Sequence, residues 1–100
     1  MSNEPPEYRL RPMAEADLEG IWLYGFKTWS ADQADRYHAE FVAAFSELAG
    51  GRKIGRPVDV MDGYLKYAVG SHIVFYRKTK SGIEVIRVLH QRQDVRRHLP

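Results

Sequence analysis

The spacing of hydrophobic residues predicts the secondary structure. Residues 8–11 alternate apolar and basic side chains before Pro12, as in a short strand that a proline ends. Apolar residues then recur at helical spacing from Ala14 to Trp29 and again from Ala34 to Leu48. Segments 65–69, 73–78 and 83–90 are rich in β-branched and aromatic residues and are separated by glycine-bearing turns, as in a β-meander. The predicted order is β-α-α-β-β-β, which defines an α+β fold.

Local signals predict where the helices begin and end. Ser30 and Gln33 have the spacing of a capping box at the start of the second helix. Gly50-Gly51 supplies the left-handed conformation that ends helices. Residues 52–63 have no sustained periodicity, which predicts a loop. Arg56 and Pro57 stand where a phosphate-binding loop needs a lysine and a hydroxyl residue, so phosphate binding of that kind is not expected.

The composition describes one small domain, residues 1–100, with an uneven charge distribution. The first 50 residues carry 4 basic and 9 acidic side chains, and the last 50 carry 11 and 4. The halves therefore differ, at −5 and +7, and the basic half suggests a surface for acidic partners, although ordinary scatter of surface charge is the alternative. The absence of cysteine, an acidic proline-bearing N-terminus and no long apolar run favour a cytoplasmic protein.

Motifs for common catalytic and metal chemistry are missing. The four histidines lack the spacing of a helical zinc site, and the serines lie in a tail, a cap, a helix and turns. We therefore expect no metal, no cofactor and no Ser-His-Asp hydrolase chemistry.

The last strand and the tail are more informative. Strict alternation would put Val85, Arg87 and Leu89 on one face and the residues between them on the other, so both faces are apolar and require further cover or a partner. Arg87 then lies on the face away from the helices, either as a contact or as a structural, ion-paired arginine. Residues 90–100 are rich in cations and nearly free of apolar anchors, which fits either a solvated tail or a working surface.

Several short segments, taken together and in order, resemble the ParE toxins of the RelE/ParE superfamily. They include Tyr8-Arg9-Leu10, Gln33-Ala34-Asp35-Arg36-Tyr37, Gly55-Arg56-Pro57, Phe75-Tyr76-Arg77 and Ile86-Arg87-Val88-Leu89-His90, and they span nearly the whole chain. The resemblance implies a helical hairpin packed on a mainly antiparallel sheet. It also implies a ParD-like antitoxin whose C-terminal segment wraps the toxin and, for several members, inhibition of DNA gyrase.

Two groups of residues are candidates for these interactions. The target-binding candidates are cationic or titratable: Arg77, Arg87, His90, Arg92, Arg96 and Arg97. The antitoxin-binding candidates are mostly aromatic or apolar: Trp22, Trp29, Tyr37, Tyr67, Tyr76, Val85, Arg87 and Leu89.

Two other functions stay open at this stage. A RelE-like ribosome-dependent mRNA endonuclease would use His90 with Arg77, Arg87 and Arg92, but Gln91 follows His90 where that branch has a further tyrosine or histidine. A nucleic-acid-binding module would present stacking aromatics on the sheet, for which Tyr67 and Tyr76 are the candidates. We expect a binding protein without nuclease activity.

Overall fold

The elements follow the predicted order, with two short additions. The computed structural model describes residues 7–59 and 61–99; the acidic N-terminal segment up to Pro6 lies outside them. The elements are β1 (Glu7–Leu10), α1 (Pro12–Thr28), α2 (Ala31–Ala49), β2 (Arg56–Pro57), β3 (Leu65–Val69), β4 (His72–Lys78), β5 (Gly82–His90) and α3 (Val95–His98). β2 lies inside the expected loop and α3 inside the expected tail, and neither element was predicted from the sequence. No described helix is long and apolar enough to cross a membrane.

The helical hairpin forms for local reasons. Pro12 occupies the first turn of α1, where its missing N–H removes no helical hydrogen bond. The Gln33 amide donates to the Ser30 hydroxyl at 3.1 Å, which confirms the predicted cap of α2. Gly25 packs on Ala34, and a Cβ added to Gly25 would lie only 3.4 Å from the Cβ of Ala34. The two helices therefore approach each other closely at this point. The Trp22 indole N–H donates to Asp35 at 2.8 Å and ties the hairpin together.

Within the described residues, five strands form one sheet in the order β1-β5-β4-β3-β2. β1 runs parallel to β5, and the other pairs are antiparallel. β1 covers β5 only along residues 82–85, which leaves the edge of β5 beyond Val85 without a strand neighbour. The Asp17 carboxylate of α1 accepts from the Val88 amide there at 2.9 Å. A side chain thus takes the place of a strand at this edge.

A β-bulge in the last strand places Val85 and Ile86 on the faces opposite to those predicted, while Arg87, Val88 and Leu89 lie on the predicted faces. Phe75 pairs with Arg87 but Tyr76 pairs with Val85, so Ile86 is one extra residue in β5. Val85 and Val88 consequently both belong to the core under the helices, whereas Ile86 and Leu89 belong to the opposite core. Strict alternation was wrong here because one inserted residue shifts the two-residue period.

Two hydrophobic cores cover both sides of the sheet. The larger core joins the hairpin to the sheet and contains Phe41, Phe45, Val74 and Val85, all 0% exposed. The second core contains Val58, Phe75, Ile86, Leu89 and Leu99, with Met61, Tyr64, Ile73 and Val95 packed against it. The chain itself therefore supplies the cover that the second face requires. The expectation that the tail lacks apolar anchors was wrong, since Leu99 is only 8% exposed.

Candidate functional site

Arg87 is a buried, ion-paired residue. Its Nε and Nη2 donate to the two oxygens of Asp17 at 2.8 and 2.9 Å, and its Nη1 donates to the His98 carbonyl at 3.0 Å. Asp17 raises the pKa of Arg87, so the guanidinium stays charged. Arg87 pairs with Phe75 on the face away from the helices, as predicted, but it is only 9% exposed and so is not an accessible surface contact. Arg87 was considered either as a contact or as a structural, ion-paired arginine, and these hydrogen bonds support the structural role.

The other cationic candidates lie on the surface. Arg77, Arg92, Arg96 and Arg97 are exposed, and none has an ion-pair partner among the described residues. Arg77 stacks over the Tyr64 ring at 5.4 Å. These four side chains remain predictions as contacts for an acidic partner.

The candidate antitoxin contacts divide by exposure. Tyr76, Val85 and Leu89 are 1%, 0% and 2% exposed, so they cannot contact a partner on the folded toxin surface. Tyr76 serves the fold, because its hydroxyl accepts a hydrogen bond from the Gly55 amide at 2.8 Å. Burial of Tyr76 also removes the pair of stacking aromatics that a nucleic-acid-binding sheet requires.

The remaining candidates are accessible to different degrees. Trp22, Tyr37 and Tyr67 are partly exposed, and Trp29 is 65% exposed. Lys53 lies over the Tyr67 ring at 5.8 Å, on the edge of the sheet where β2 pairs with β3.

An exposed aromatic surface on α1 was only partly predicted from the sequence, which named Trp22 and Trp29 but not Leu23, Tyr24 and Phe26. We define the α1 aromatic surface as Leu23, Tyr24, Phe26 and Trp29, which are 41%, 65%, 49% and 65% exposed. Phe26 stacks on Trp22, and Tyr24 meets Trp29 edge-on. The signal was present: α1 carries apolar residues off its buried stripe as well as on it, and a helix that is apolar all round needs cover on every side.

A groove of about 560 Å³ adjoins this surface and opens between the hairpin and the ends of β4 and β5. Its walls are mostly small or apolar, and its polar groups come from α1, α2 and the two strand ends. The lining residues are Ala16, Asp17, Gly20, Ile21, Tyr24, Gly25, Trp29, Tyr37, Ser71, His72, Val88, His90 and Gln93.

Two histidines meet in this groove. The strand register places His72 opposite His90, and their rings lie 5.3 Å apart at 85°. The Tyr37 hydroxyl donates to the Val69 carbonyl at 2.9 Å, so its contact of 2.8 Å with Nδ1 of His72 requires Nδ1–H of the imidazole as donor. The Arg92 amide donates to Nδ1 of His90 at 3.2 Å, which puts the proton of neutral His90 on Nε2. The sequence predicted His90 as a target contact or nuclease residue but did not place it beside His72. No cluster of three potential metal ligands exists among the described residues.

Burial lowers the pKa of His72, and the neighbouring His90 lowers it further, while Asp17 opposes the shift. The unfolded chain therefore binds this proton more readily than the folded protein. We expect stability that is present at pH 7.5 to be lost as the pH falls through about 6.5, the ordinary pKa of histidine, toward the lower pKa of the folded state. The thermal midpoint measured from pH 7.5 to 5.5 checks this, and His72→Asn should flatten the decline; an equal decline in the variant would contradict it.

The groove offers an acid–base pair and one carboxylate. Two imidazoles can exchange protons, but among the described residues no lysine or arginine lines the groove, and the Asp17 carboxylate is itself paired with Arg87. A phosphorane-like transition state needs cations where its negative charge develops. The described residues of the groove therefore provide an acid–base pair but no cation to stabilise the negative charge of such a transition state.

Comparisons with known proteins agree with this architecture. Residues 8–95 match the family model described as ParE toxin of type II toxin-antitoxin system, parDE. The chain is 47% identical over 94 residues to Toxin ParE1 of Mycobacterium tuberculosis, covering 92% of this chain and 96% of that protein. It is 42% identical to Toxin ParE1 of Caulobacter vibrioides over 93 residues, with the same coverages.

Solved structures show the same fold. A chain of the chromosomal ParDE TA system from P. aeruginosa superposes with a TM-score of 0.73 at 17% identity, covering 86% of this chain and 96% of that one. A chain of the toxin-antitoxin complex RelBE2 from Mycobacterium tuberculosis gives a TM-score of 0.61 at 21% identity, covering 89% and 94%. With a family match over residues 8–95 and close relatives over most of its length, this chain belongs to the ParE toxin family of type II toxin–antitoxin systems.

Proposed function

We propose that a ParD-like antitoxin neutralises this toxin and that DNA gyrase, in the cytoplasm, is the target. The observation that carries the antitoxin proposal is the α1 aromatic surface beside the groove, where Tyr24 and Trp29 belong to both. The P. aeruginosa relative in fold comes from a ParDE system, and the Mycobacterium tuberculosis relative in fold comes from a toxin-antitoxin complex. Large exposed aromatic residues of this kind dominate the binding energy of protein interfaces.

We expect Trp29→Ser and Tyr24→Ser each to weaken antitoxin binding by about 2 kcal/mol, or roughly 30-fold in Kd, because each removes an aromatic anchor. Ile54→Ser is the matched control: Ile54 is 73% exposed but lies in the loop before β2, away from this surface. The measurement is calorimetry with the antitoxin encoded beside the toxin gene. No association of the wild type, or equal loss in all three variants, would contradict the antitoxin proposal.

The exposed arginines of the second half of the chain support a target that offers acidic contacts. Arg96 and Arg97 are exposed on α3, so removing them leaves the cores and the Arg87 ion pair untouched. We expect Arg96→Ala combined with Arg97→Ala to raise the concentration of toxin that inhibits gyrase supercoiling by about tenfold or more. A loss of this size is typical when an arginine that contacts a partner is truncated. Lys80→Ala, at the exposed β4–β5 turn, should leave inhibition unchanged. Failure of the wild type to inhibit gyrase would reject gyrase as the target.

The mRNA endonuclease is the second function to be tested. His72 and His90 form an acid–base pair that favours it, and the lack of a lysine or arginine among the described residues that line the groove opposes it. We therefore propose no cleavage of ribosome-bound messages by the purified toxin. Sequence-specific cleavage that His90→Ala abolishes would establish the nuclease instead.

A further inference from the structure

The pair of histidines in the groove has no part in the function proposed so far. We propose that His72 and His90 bind the carboxylate of an aspartate or glutamate in the antitoxin segment, and that the pair takes up protons on binding. This inference rests on the proposed antitoxin pairing and names the chemistry that recognises it.

The hydrogen bonds orient both rings for such a ligand. Nδ1 of His72 is held by Tyr37, and Nδ1 of His90 is held by the Arg92 amide. In each ring Nε2 is therefore the nitrogen left for a partner, since the hydrogen bonds that the described residues make to these rings are at Nδ1. In the neutral pair, Nε2 of His90 donates and Nε2 of His72 accepts. One proton on His72 turns the pair into two donors, which match the two oxygens of a carboxylate.

No free carboxylate among the described residues of the groove faces the two histidines, so a partner has to supply the negative charge that balances a protonated imidazole. Asp17 from α1 is the acidic residue in the groove, and its two oxygens are engaged by Arg87 and the Val88 amide. Tyr37 from α2 and Ser71 contribute hydroxyls, and Gln93 contributes a neutral amide. The neighbouring His90, whose ring lies 5.3 Å away, opposes protonation of His72. A carboxylate placed between the rings offsets that repulsion, and so raises the pKa of His72.

The groove walls add apolar contacts to the polar contacts that the histidines make with the partner segment. Ile21, Tyr24 and Trp29 offer apolar contacts beside the imidazoles, and Trp29 continues onto the α1 aromatic surface. The partner segment therefore pairs an acidic residue with a large apolar neighbour. This pattern agrees with the positive charge of the second half of the chain, which favours an acidic partner.

Proton uptake makes affinity depend on pH in a definite direction. The carboxyl groups of a partner stay ionised at pH 5.5, since their ordinary pKa is about 4. Affinity should therefore rise as the pH falls through the pKa that His72 has in the complex. Uptake of one proton gives at most a tenfold change per pH unit, so we expect binding about tenfold tighter at pH 5.5 than at pH 7.5. The free toxin should meanwhile lose stability over the same interval.

The test is calorimetry with the co-encoded antitoxin at pH 5.5, 6.5 and 7.5 and fixed salt, on wild type and His72→Asn/His90→Asn. Asparagine places an amide N–H near Tyr37 and an amide oxygen near the Arg92 amide, so it keeps the Nδ1 contacts and removes both Nε2 atoms. The double variant should bind with no pH dependence and about tenfold more weakly at pH 5.5. His38→Asn, on the exposed side of α2, should behave as wild type.

Imidazole titration by NMR on the wild-type toxin guards against a variant that does not fold: the pKa of His72 should rise in the complex. A complex whose affinity is independent of pH, or whose pH dependence survives in the double variant, overturns this inference and leaves the antitoxin proposal intact. Absence of any complex at all three pH values overturns the antitoxin proposal and this inference with it.

Discussion

Asp17→Ala is expected to lower the free energy of unfolding by about 3–5 kcal/mol, the range for breaking a buried ion pair at one partner. The loss follows from the position of Asp17, which binds the Arg87 guanidinium through two hydrogen bonds and caps the Val88 amide at the open edge of β5. Without it, a largely buried arginine keeps only the His98 carbonyl. Urea unfolding of the purified toxin measures the change.

A second ion pair on the same protein provides the control. Arg11 and Glu84 lie 3.3 Å apart, but their side chains are 37% and 32% exposed. Arg11→Ala should therefore cost about 0–1 kcal/mol. A double-mutant cycle with Asp17→Ala and Arg87→Ala should give a clear coupling energy, because the two residues touch. Asp17→Ala that unfolds no more easily than Arg11→Ala would show that this pair does not stabilise the fold.

Ending the chain at Gln91 is expected to destabilise the toxin by more than Leu99→Ala alone, for which we expect about 2–3 kcal/mol. Truncation removes Leu99 and Val95 from the second core and takes away the His98 carbonyl that Arg87 binds. Thermal and urea unfolding of both variants measure the loss. A loss of this size differs from the expectation from sequence that residues 90–100 are nearly free of apolar anchors.

The tail can still contact a target, and a matched variant separates the two roles. Arg96→Ala with Arg97→Ala removes two exposed charges and should change stability by no more than about 0.5 kcal/mol. Loss of gyrase inhibition in this variant reports on a contact, whereas loss in the truncated chain also reports on folding. A truncated chain with wild-type stability would mean that the second core does not need the C-terminal segment.

The sequence by itself determined the elements whose signals are local. Hydrophobic spacing located both helices and the meander, because each period reflects which side of a single element is buried. Ser30 could be assigned as a cap because its partner, Gln33, is three residues away. The resemblance to ParE toxins was equally readable, since its segments lie in order along the chain, and the family match confirms it.

Only the tertiary structure decided the features that join distant residues. Asp17 and Arg87 are 70 positions apart, and nothing in the local pattern of either predicts the other. The bulge at Ile86 depends on how β5 pairs with β4, so it reversed the predicted faces of Val85 and Ile86, while Arg87 and Leu89 kept theirs. Leu99 became an anchor because the C-terminal segment packs on the second apolar face of the sheet. His72 and His90 became one site through strand register and the enclosing hairpin, since side chains from separate elements meet only when the chain is packed.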